Sequence, residues 1–281
     1  MKMKNVKSIN QVKPIRVGLM GFGKAGKAAA STLLQSPQIR LEWVVRQATL
    51  LEYHSIPEFL GIDSDEPGYI YSSQHISAET LLEKHPVDVI IDFSSASGID
   101  YYWQAARRRG VKVVSAISHY SEREIGLIDR IAERCAVLWS PNITIGINYM
   151  ILAAQAMRKI APDIDIEIVE EHFKQKPELS GTAIKLANSL GKEKTDIKSI
   201  RAGGIVGKHE VIFGFPFQVV RLTHESISRE AFGNGAIFAC RHLLDKGPGR
   251  HTFEELIAPY FQVSAGRSHV NNCSCQCVVG V

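Results

Sequence analysis

The chain has 281 residues, a hydrophobic fraction of 45% and a formal net charge of +4. This length allows a sizeable core and predicts two domains. The mild positive charge fits a small anionic ligand but does not indicate nucleic-acid binding, because residues 107–109 read as the solvated end of a helix. No apolar stretch is long enough to span a membrane, and the charged N-terminus lacks the apolar run of a signal peptide. A cytoplasmic location is therefore expected.

The five cysteines fall into two groups. Cys135 and Cys240 lie in apolar helical contexts and are predicted to be buried free thiols. Cys273, Cys275 and Cys277 are separated by single residues, whereas paired zinc ligands usually have at least two residues between them. We therefore predict no metal site, and we expect residues 266–281 to form a tail outside the folded domains.

A glycine-rich turn follows the first predicted strand, residues 15–20. The sequence Gly21-Phe22-Gly23-Lys24-Ala25-Gly26 has the G-x-G-x-x-G spacing and is followed by an alanine-rich helix. In a dinucleotide site the first glycine permits the tight turn, the second lets the backbone approach the pyrophosphate, and the third lets helix and strand pack closely. We predict a dinucleotide-binding turn here. A glycine turn needed only for packing would give the same pattern.

The end of the second predicted strand, residues 41–46, bears on the choice of cofactor. NAD sites usually place a carboxylate at this strand end, whereas NADP sites place a cation near the 2′-phosphate. The chain has Val45-Arg46-Gln47 here, with no carboxylate. Because Arg46 can donate two hydrogen bonds to a phosphate, we predict a preference for NADPH, with NADH possible. The alternative is an arginine that is merely solvated.

Strands and helices alternate through the rest of the first half. The predicted strands are 87–94, 112–116 and 136–139. The predicted helices are one that Ser77 caps and that runs through Lys84, one at 99–109, and one opened by the capping box of Ser121 and Glu124. Residues 49–77 read as a long excursion with one short helix. The alternation predicts an α/β fold, with an N-terminal Rossmann-type doubly wound parallel sheet.

The second half predicts an α+β domain for substrate binding and oligomerisation. A helix is expected at 149–160, a half-buried strand at 164–169, and strands at 200–214 and 217–224 joined as antiparallel hairpins. A closing helix spans 228–244, and residues 252–260 are expected to pack back on the first domain. We place the dinucleotide-binding domain at 1–143, completed by about 240–265, and the second domain at 144–239.

The segment 170–182 is the principal candidate for chemistry. It reads as a loop between the strand at 164–169 and a helix at 183–190. It contains His172 and Lys176, and its end, near Ser180 and Thr182, has the free N–H groups that favour an anion at a helix start. This combination suits a small carboxylate that must be held and protonated. A capped helix behind a polar loop is the alternative.

The chain resembles the 4-hydroxy-tetrahydrodipicolinate reductase (dihydrodipicolinate reductase) family. The matching segments occur in order over nearly the whole chain apart from the tail, and the Ser-Gly-Thr-Ala and Gly-x-His blocks are the specific ones. These segments are 21–26, Asp92-Phe93-Ser94, Pro141-Asn142 through Asn148, Glu171-His172 with Lys176, Ser180 to Ala183, Arg201 to Gly203, Gly207 to His209, and Thr223-His224 through Arg229.

The resemblance implies a homotetrameric, two-domain enzyme of lysine and diaminopimelate biosynthesis. Such an enzyme transfers hydride from NADH or NADPH to a cyclic unsaturated dicarboxylate. The resemblance makes His172 the acid–base residue and Lys176 the proton donor, and Ser180, Gly181 and Thr182 would hold a substrate carboxylate. The residues implied along the cofactor are Gly21, Phe22, Gly23, Lys24, Ala25, Gly26, Arg46, Phe93, Ala116, Ser118 and Asn142.

Three departures from the family pattern lie on the substrate side. Phe173 stands where the family has a second histidine, which removes a polar contact to the substrate. Residues 116–119 read Ala-Ile-Ser-His instead of Gly-Thr-Thr-Gly, and Leu179 replaces a proline in a loop one residue shorter. A paralogous reductase of another cyclic imino acid is therefore one alternative. A catalytically silent NADP-binding protein is another, although binding alone needs neither His172 nor Lys176.

Overall fold

The computed structural model describes residues 13–64 and 68–261. The strands, numbered along the chain, are β1 Ile15–Met20, β2 Ile39–Arg46, β3 Tyr69–Ser72, β4 Val89–Asp92, β5 Lys112–Ser115, β6 Ala136–Trp139, β7 Asp165–His172, β8 Ile197–Arg201, β9 Lys208–Gly214, β10 Val219–Glu225 and β11 Gly249–His251. The helices are α1 Lys24–Leu34, α2 Ile56–Leu60, α3 Ala78–Lys84, α4 Ile99–Arg109, α5 Glu122–Ala132, α6 Ile145–Ile160, α7 Gly181–Ser189, α8 Glu230–Leu243 and α9 Phe253–Ile257.

The first sheet confirms the predicted doubly wound architecture. Its strand order is β11-β6-β5-β4-β1-β2-β3, and every neighbouring pair is parallel. One face packs on α1, α8 and α9, and the other on α3, α4 and α5. Because both faces are covered, the central strands are nearly continuous apolar runs, and all four residues of β4 are buried. The strand order reverses between β1 and β4, which is where open α/β sheets bind ligands.

Two short strands of this sheet differ from expectation. The excursion at 49–77 contains β3 as well as the short helix α2, and β3 pairs with β2. Strand β11 pairs with β6, and α9 buries Phe253, Leu256 and Ile257 in the first core. Strands of three or four residues are too short for an alternation pattern to be read from sequence.

The second sheet has the order β10-β9-β7-β8. Strand β9 pairs antiparallel with both β10 and β7. Its pairing with β10 agrees with the antiparallel hairpin predicted for this part of the chain. The predicted strand at 200–214 is divided, because β8 ends at Arg201 and β9 begins at Lys208. The antiparallel pairing predicted for its first part is wrong, since β8 pairs in parallel with β7 on the opposite edge. Helix α7 explains the difference, since a parallel pair needs a crossover connection and α7 supplies it. Helices α6 and α7 cover one face of this sheet.

Several local predictions are confirmed. The side chains of Ser77 and Ser180 cap α3 and α7, and Ser121 forms a capping box with Glu124 at α5. Cys135 and Cys240 are buried free thiols.

Two features are absent from the part of the chain that the structure describes. No helix there is long and apolar enough to cross a membrane, and no group of three metal-ligating side chains is found. The tail predicted at 266–281, with Cys273, Cys275 and Cys277, lies outside the described residues, so the prediction about it stays untested.

Candidate active site

Two of the three glycines in the turn at 21–26 stand where a larger residue would not fit, and the third lies in open space. Gly21 has φ +93°, and a Cβ there would lie 2.7 Å from the backbone of Phe93. A Cβ on Gly26 would lie 2.2 Å from the carbonyl oxygen of Gly21, so helix and turn could not pack as they do. Gly23 meets no atom within 4 Å and begins α1 without a side-chain cap. The first N–H groups of α1 are therefore available for a phosphate.

A cavity of about 670 Å³ lies beside this turn, at the carboxyl ends of β1, β2 and β4. Five of the residues predicted to bind the cofactor line it, together with polar residues that follow β2, β3 and β4. The five are Gly21, Phe22, Gly23, Arg46 and Phe93. Among the lining residues that the structure describes, Arg46 is the one cation and there is no carboxylate. The cavity thus has the shape and charge for a phosphorylated ligand.

The other predicted cofactor residues lie elsewhere around the turn or along the same sheet edge. Lys24 borders a separate cavity of about 560 Å³ with Arg229, and Ala25 and Gly26 continue α1. Ala116 and Ser118 follow β5, and the N–H of Ala116 donates to the carbonyl of Asp92 at 2.9 Å. Asn142 follows β6. An extended ligand could contact these groups in turn, because strand ends of a parallel sheet share one edge.

Asp92 organises the loop that follows β4. It is fully buried and accepts hydrogen bonds from the N–H and the hydroxyl of Ser94, at 2.8 and 2.5 Å, and from the hydroxyl of Tyr102 at 2.9 Å. Burial raises the pKa of Asp92 to about 6, and these hydrogen bonds only partly oppose it. The carboxyl group therefore fixes the position of Ser94, which lines the cavity.

Strand β7 reaches further than the sequence predicted. It ends at His172 rather than near Val169, so His172 lies at the end of a strand and not in a loop. The alternation continues through the charged residues, because Ile166, Ile168, Glu170 and His172 are all buried. Rigid backbone pairing with β8 and β9 therefore sets the position of the imidazole.

The buried face of β7 carries a connected polar cluster. The Nδ1 atom of His172 is hydrogen-bonded to Oε2 of Glu170. Oε1 of Glu170 accepts from the hydroxyl of Ser199 at 2.7 Å and from the guanidinium of Arg201 at 2.6 Å. Burial alone raises the pKa of Glu170, but the hydrogen bonds from Arg201, Ser199 and His172 outweigh it and lower the pKa to about 2. The carboxylate is therefore ionised at any working pH.

His209 on β9 is the second imidazole of this cluster. Its ring lies edge-on to His172 with 5.4 Å between centroids, and its Nε2 shares a hydrogen bond of 2.8 Å with the hydroxyl of Ser180. Burial, with smaller contributions from the imidazoles of His172 and His224, lowers the pKa of His209 to about 4. It is neutral at neutral pH. Its Nδ1 is buried and has no hydrogen-bond partner among the described residues.

The loop between β7 and α7 carries Lys176 and Phe173. Arg201 holds this loop, since its guanidinium donates to the carbonyls of Lys176 at 3.1 Å and Glu178 at 3.0 Å. Lys176 is half-buried, and its positive charge makes a small contribution to the lowering of the pKa of His209. Phe173 is 40% exposed beside this loop.

The start of α7 connects the second domain with the edge of the first sheet. Ser180 is buried, and its hydroxyl accepts from the N–H of Ala183 at 3.4 Å. The side-chain amide of Asn142 donates to the hydroxyl of Thr182 at 2.9 Å. A Cβ on Gly181 would meet no atom within 4 Å, so the space before the helix is open. The predicted carboxylate-binding residues therefore adjoin a residue that follows β6.

The first domain is a doubly wound sheet with a glycine turn whose free N–H groups can bind a phosphate. The second domain carries the imidazole of His172, the ammonium group of Lys176 and the start of α7. These features define the class of two-domain oxidoreductases that bind a nicotinamide dinucleotide. Two family models match the chain: "Dihydrodipicolinate reductase, N-terminus" over residues 15–143 and "Dihydrodipicolinate reductase, C-terminus" over residues 146–257. The chain belongs to the dihydrodipicolinate reductase family and is an NAD(P)H-dependent oxidoreductase.

Individual relatives agree with this assignment. The 4-hydroxy-tetrahydrodipicolinate reductase of Caldanaerobacter subterraneus subsp. tengcongensis is 33% identical over 62% of this chain and 78% of its own length. The reductase of the same name from Thermosipho africanus is 32% identical over 66% of this chain and 86% of its own. The structure of dipicolinate-bound dihydrodipicolinate reductase from Paenisporosarcina sp. TG-14 has a TM-score of 0.68 at 22% identity, covering 85% and 97% of the two chains, and this likeness concerns the fold.

Sequence reasoning missed the residues that support the candidate site. Glu170 was not singled out as the partner of His172, nor were Ser199 and Arg201 as the partners of Glu170. Arg201 and His209 were noted only as parts of motifs. One signal was present, because the two-residue period of β7 continues through Glu170 and His172. The two donors on β8 gave no such signal, since their role depends on the register between β7 and β8.

Proposed function

We propose that this protein reduces 4-hydroxy-tetrahydrodipicolinate to tetrahydrodipicolinate in lysine and diaminopimelate biosynthesis, with NADPH as the preferred cofactor. One observation carries the proposal: the hydrogen bond from Asn142 to Thr182. This contact supports the proposal because it joins the start of α7, in the domain that carries His172 and Lys176, to the sheet edge at which we propose that the dinucleotide binds. The net reaction adds one hydride and one proton and releases one water.

The residues around the glycine turn fit the dinucleotide. The close contacts at Gly21 and Gly26 and the open space at Gly23 leave the first turn of α1 free for the pyrophosphate. Arg46 lies in a cavity whose described lining holds no carboxylate, so it would hold a 2′-phosphate. When bound, the nicotinamide supplies the hydride.

The second domain supplies binding and protons. Ser180, Gly181 and Thr182 would hold a substrate carboxylate at the start of α7, where free N–H groups and the helix dipole favour an anion. Lys176 would donate the proton that complements hydride addition, and His172 would act as the acid–base residue beside it. In the described residues the ammonium of Lys176 makes no ion pair or hydrogen bond, so it is available to a dicarboxylate.

Phe173 favours a second candidate within the same reaction class. It places an exposed apolar ring beside the loop of Lys176. A paralogous reductase acting on another cyclic imino acid would use such a ring against a less polar part of its substrate. The turn at residues 116–119, including Ala116 and Ser118, also departs from the family pattern.

The assembly and location are part of the proposal. We infer a homotetramer formed through the second domain, because the uncovered face of its sheet presents Ile200 and Val219, which are 45% and 57% exposed. The division of roles, with residues 1–143 binding cofactor and 144–239 binding substrate, is likewise proposed. A cytoplasmic location stays a prediction.

The test is a substrate panel followed through the oxidation of NADPH. Freshly prepared 4-hydroxy-tetrahydrodipicolinate is compared with cyclic imines that carry a single carboxylate. The proposal expects the highest kcat/KM with the dicarboxylate. A higher kcat/KM with a monocarboxylate imine would favour the paralogue, and Phe173→His should then shift the preference toward the dicarboxylate.

A further inference from the structure

The contact between Glu170 and His172 is built from three neighbouring strands. Glu170 is fully buried, and the register places Ser199 beside Glu170 and Arg201 beside His172 on β8, with His209 opposite Glu170 on β9. A buried carboxylate is costly unless it is fully hydrogen-bonded. Here all its partners are side chains of the same sheet, and one of them is the imidazole proposed to act on substrate.

We propose that Glu170 is a positioning residue that holds His172 in the tautomer with its proton on Nδ1, leaving Nε2 as the nitrogen that exchanges a proton in the reaction. This inference rests on the proposed function, in which His172 acts on the substrate. Glu170 itself does not touch the reacting atoms.

The partners of the two carboxylate oxygens fix the direction of each hydrogen bond. Oε1 is occupied by the donors Ser199 and Arg201, at 2.7 and 2.6 Å, so Oε2 is left for His172. An ionised carboxylate only accepts hydrogen bonds. The imidazole must therefore donate from Nδ1, and a neutral His172 carries a lone pair on Nε2.

The surroundings of Nε2 complete the assignment. Nε2 of His172 makes no hydrogen bond to the residues that the structure describes, whereas Nδ1 is bonded. Gly207 lies beside it, and a Cβ at that position would come within 3.0 Å of Nε2. The glycine at this position therefore leaves space next to Nε2. A nitrogen that exchanges a proton with the substrate needs such space.

Glu170→Gln tests this geometry because the geometry predicts that His172 adopts the opposite tautomer in this variant. Ser199 and Arg201 donate, so the amide oxygen must face them and the amide NH₂ must face His172. His172 then has to accept at Nδ1 and carry its proton on Nε2. The ¹⁵N chemical shifts of ¹⁵N-histidine-labelled enzyme with NADP⁺ bound report the tautomer, and loss of a signal in His172→Ala assigns the resonance.

We expect the wild type to be protonated on Nδ1 and Glu170→Gln to be protonated on Nε2. Turnover should fall by about 100-fold with little change in the KM for NADPH, which is the loss expected for one misdirected acid–base group. The matched control is Glu171→Gln, the same chemical change at the next residue, whose carboxylate pairs with Lys208 at 2.7 Å. The control should retain the wild-type tautomer and most of the turnover.

Two results would overturn the inference: a wild-type His172 protonated on Nε2, or a tautomer that Glu170→Gln leaves unchanged. The wild-type spectrum alone decides the matter if the variant does not fold. Failure of the proposed function looks different, because His172→Ala would then keep full turnover while the tautomer of wild-type His172 matched the expectation.

Discussion

Arg46 is the residue on which the proposed cofactor preference depends. It is the one cation among the described residues lining the cavity beside the glycine turn at 21–26. Arg46→Ala should raise the KM for NADPH by about 10- to 100-fold and change the KM for NADH little, because hydrogen bonds to a charged group contribute about 1.5–3 kcal/mol. Steady-state kinetics with both cofactors measure this. Arg40→Ala is the control, since Arg40 lies on the same strand and pairs with Glu42 at 3.0 Å. An equal rise in the KM for NADPH and for NADH would show that Arg46 does not bind the 2′-phosphate.

Lys176 is the second residue with a specific proposed role. Lys176→Ala should lower kcat by about two to four orders of magnitude, the usual contribution of general acid catalysis. Lys174→Ala is a matched control on the same loop, because the Lys174 side chain is exposed and its backbone N–H donates to the carbonyl of Gly203. Stopped-flow measurement of NADPH oxidation gives the rates. A loss of less than about threefold would take Lys176 out of the mechanism.

At the scale of the element, Ser180 joins the stability of α7 to the geometry of the site. Its hydroxyl caps α7 and is bonded to His209 at 2.8 Å. Ser180→Ala should cost about 1–3 kcal/mol of unfolding free energy, because it removes a cap and leaves both nitrogens of His209 buried without partners. Urea denaturation measures the loss, and the KM for substrate should rise as well.

Thr252→Ala provides the comparison for that prediction, because Thr252 caps α9 through its own capping box. It should lose about 1 kcal/mol of stability and leave the KM for substrate unchanged. If the two variants have the same KM, Ser180 serves only as a helix cap.

The helices and strands show which features of the fold could be predicted from sequence. The glycine turn at 21–26 and the caps at Ser77 and Ser180 are local features, since residues within one turn determine them, and all were predicted. The end of β7 was placed too early because Glu170 interrupts an apolar alternation. Its burial depends on hydrogen bonds from His172, Ser199 and Arg201, and the last two follow 29 and 31 positions later in sequence. The partner of β8 was misassigned because α7 forms the crossover between β7 and β8 and makes them parallel, which the sequence of β8 alone does not reveal.

At the scale of the whole molecule, Asp92 makes stability depend on pH. Its pKa is about 6 in the folded chain, against 3.8 for a model carboxyl. Between these values the folded state binds more protons than the unfolded state, so stability falls as pH rises through this window. The unfolding free energy of wild type relative to Asp92→Asn should drop by on the order of 2–3 kcal/mol between about pH 4 and about pH 7.

Urea denaturation of both proteins across this range is the measurement, and subtracting the variant removes groups common to both, such as Glu170. The pKa of Glu170 is lowered to about 2, so its contribution has the opposite sign and is lost as pH falls. A difference between wild type and Asp92→Asn that does not vary with pH would show that Asp92 titrates normally.

In the proposed reaction both domains take part, because the first would hold the dinucleotide and the second would bring His172, Lys176 and the start of α7 to it. The most direct test measures nucleotide affinity and turnover on the same variant, His172→Ala. We predict a dissociation constant for NADPH within about twofold of wild type, and a turnover with 4-hydroxy-tetrahydrodipicolinate lower by at least about 100-fold. Wild-type turnover in that variant would contradict the account.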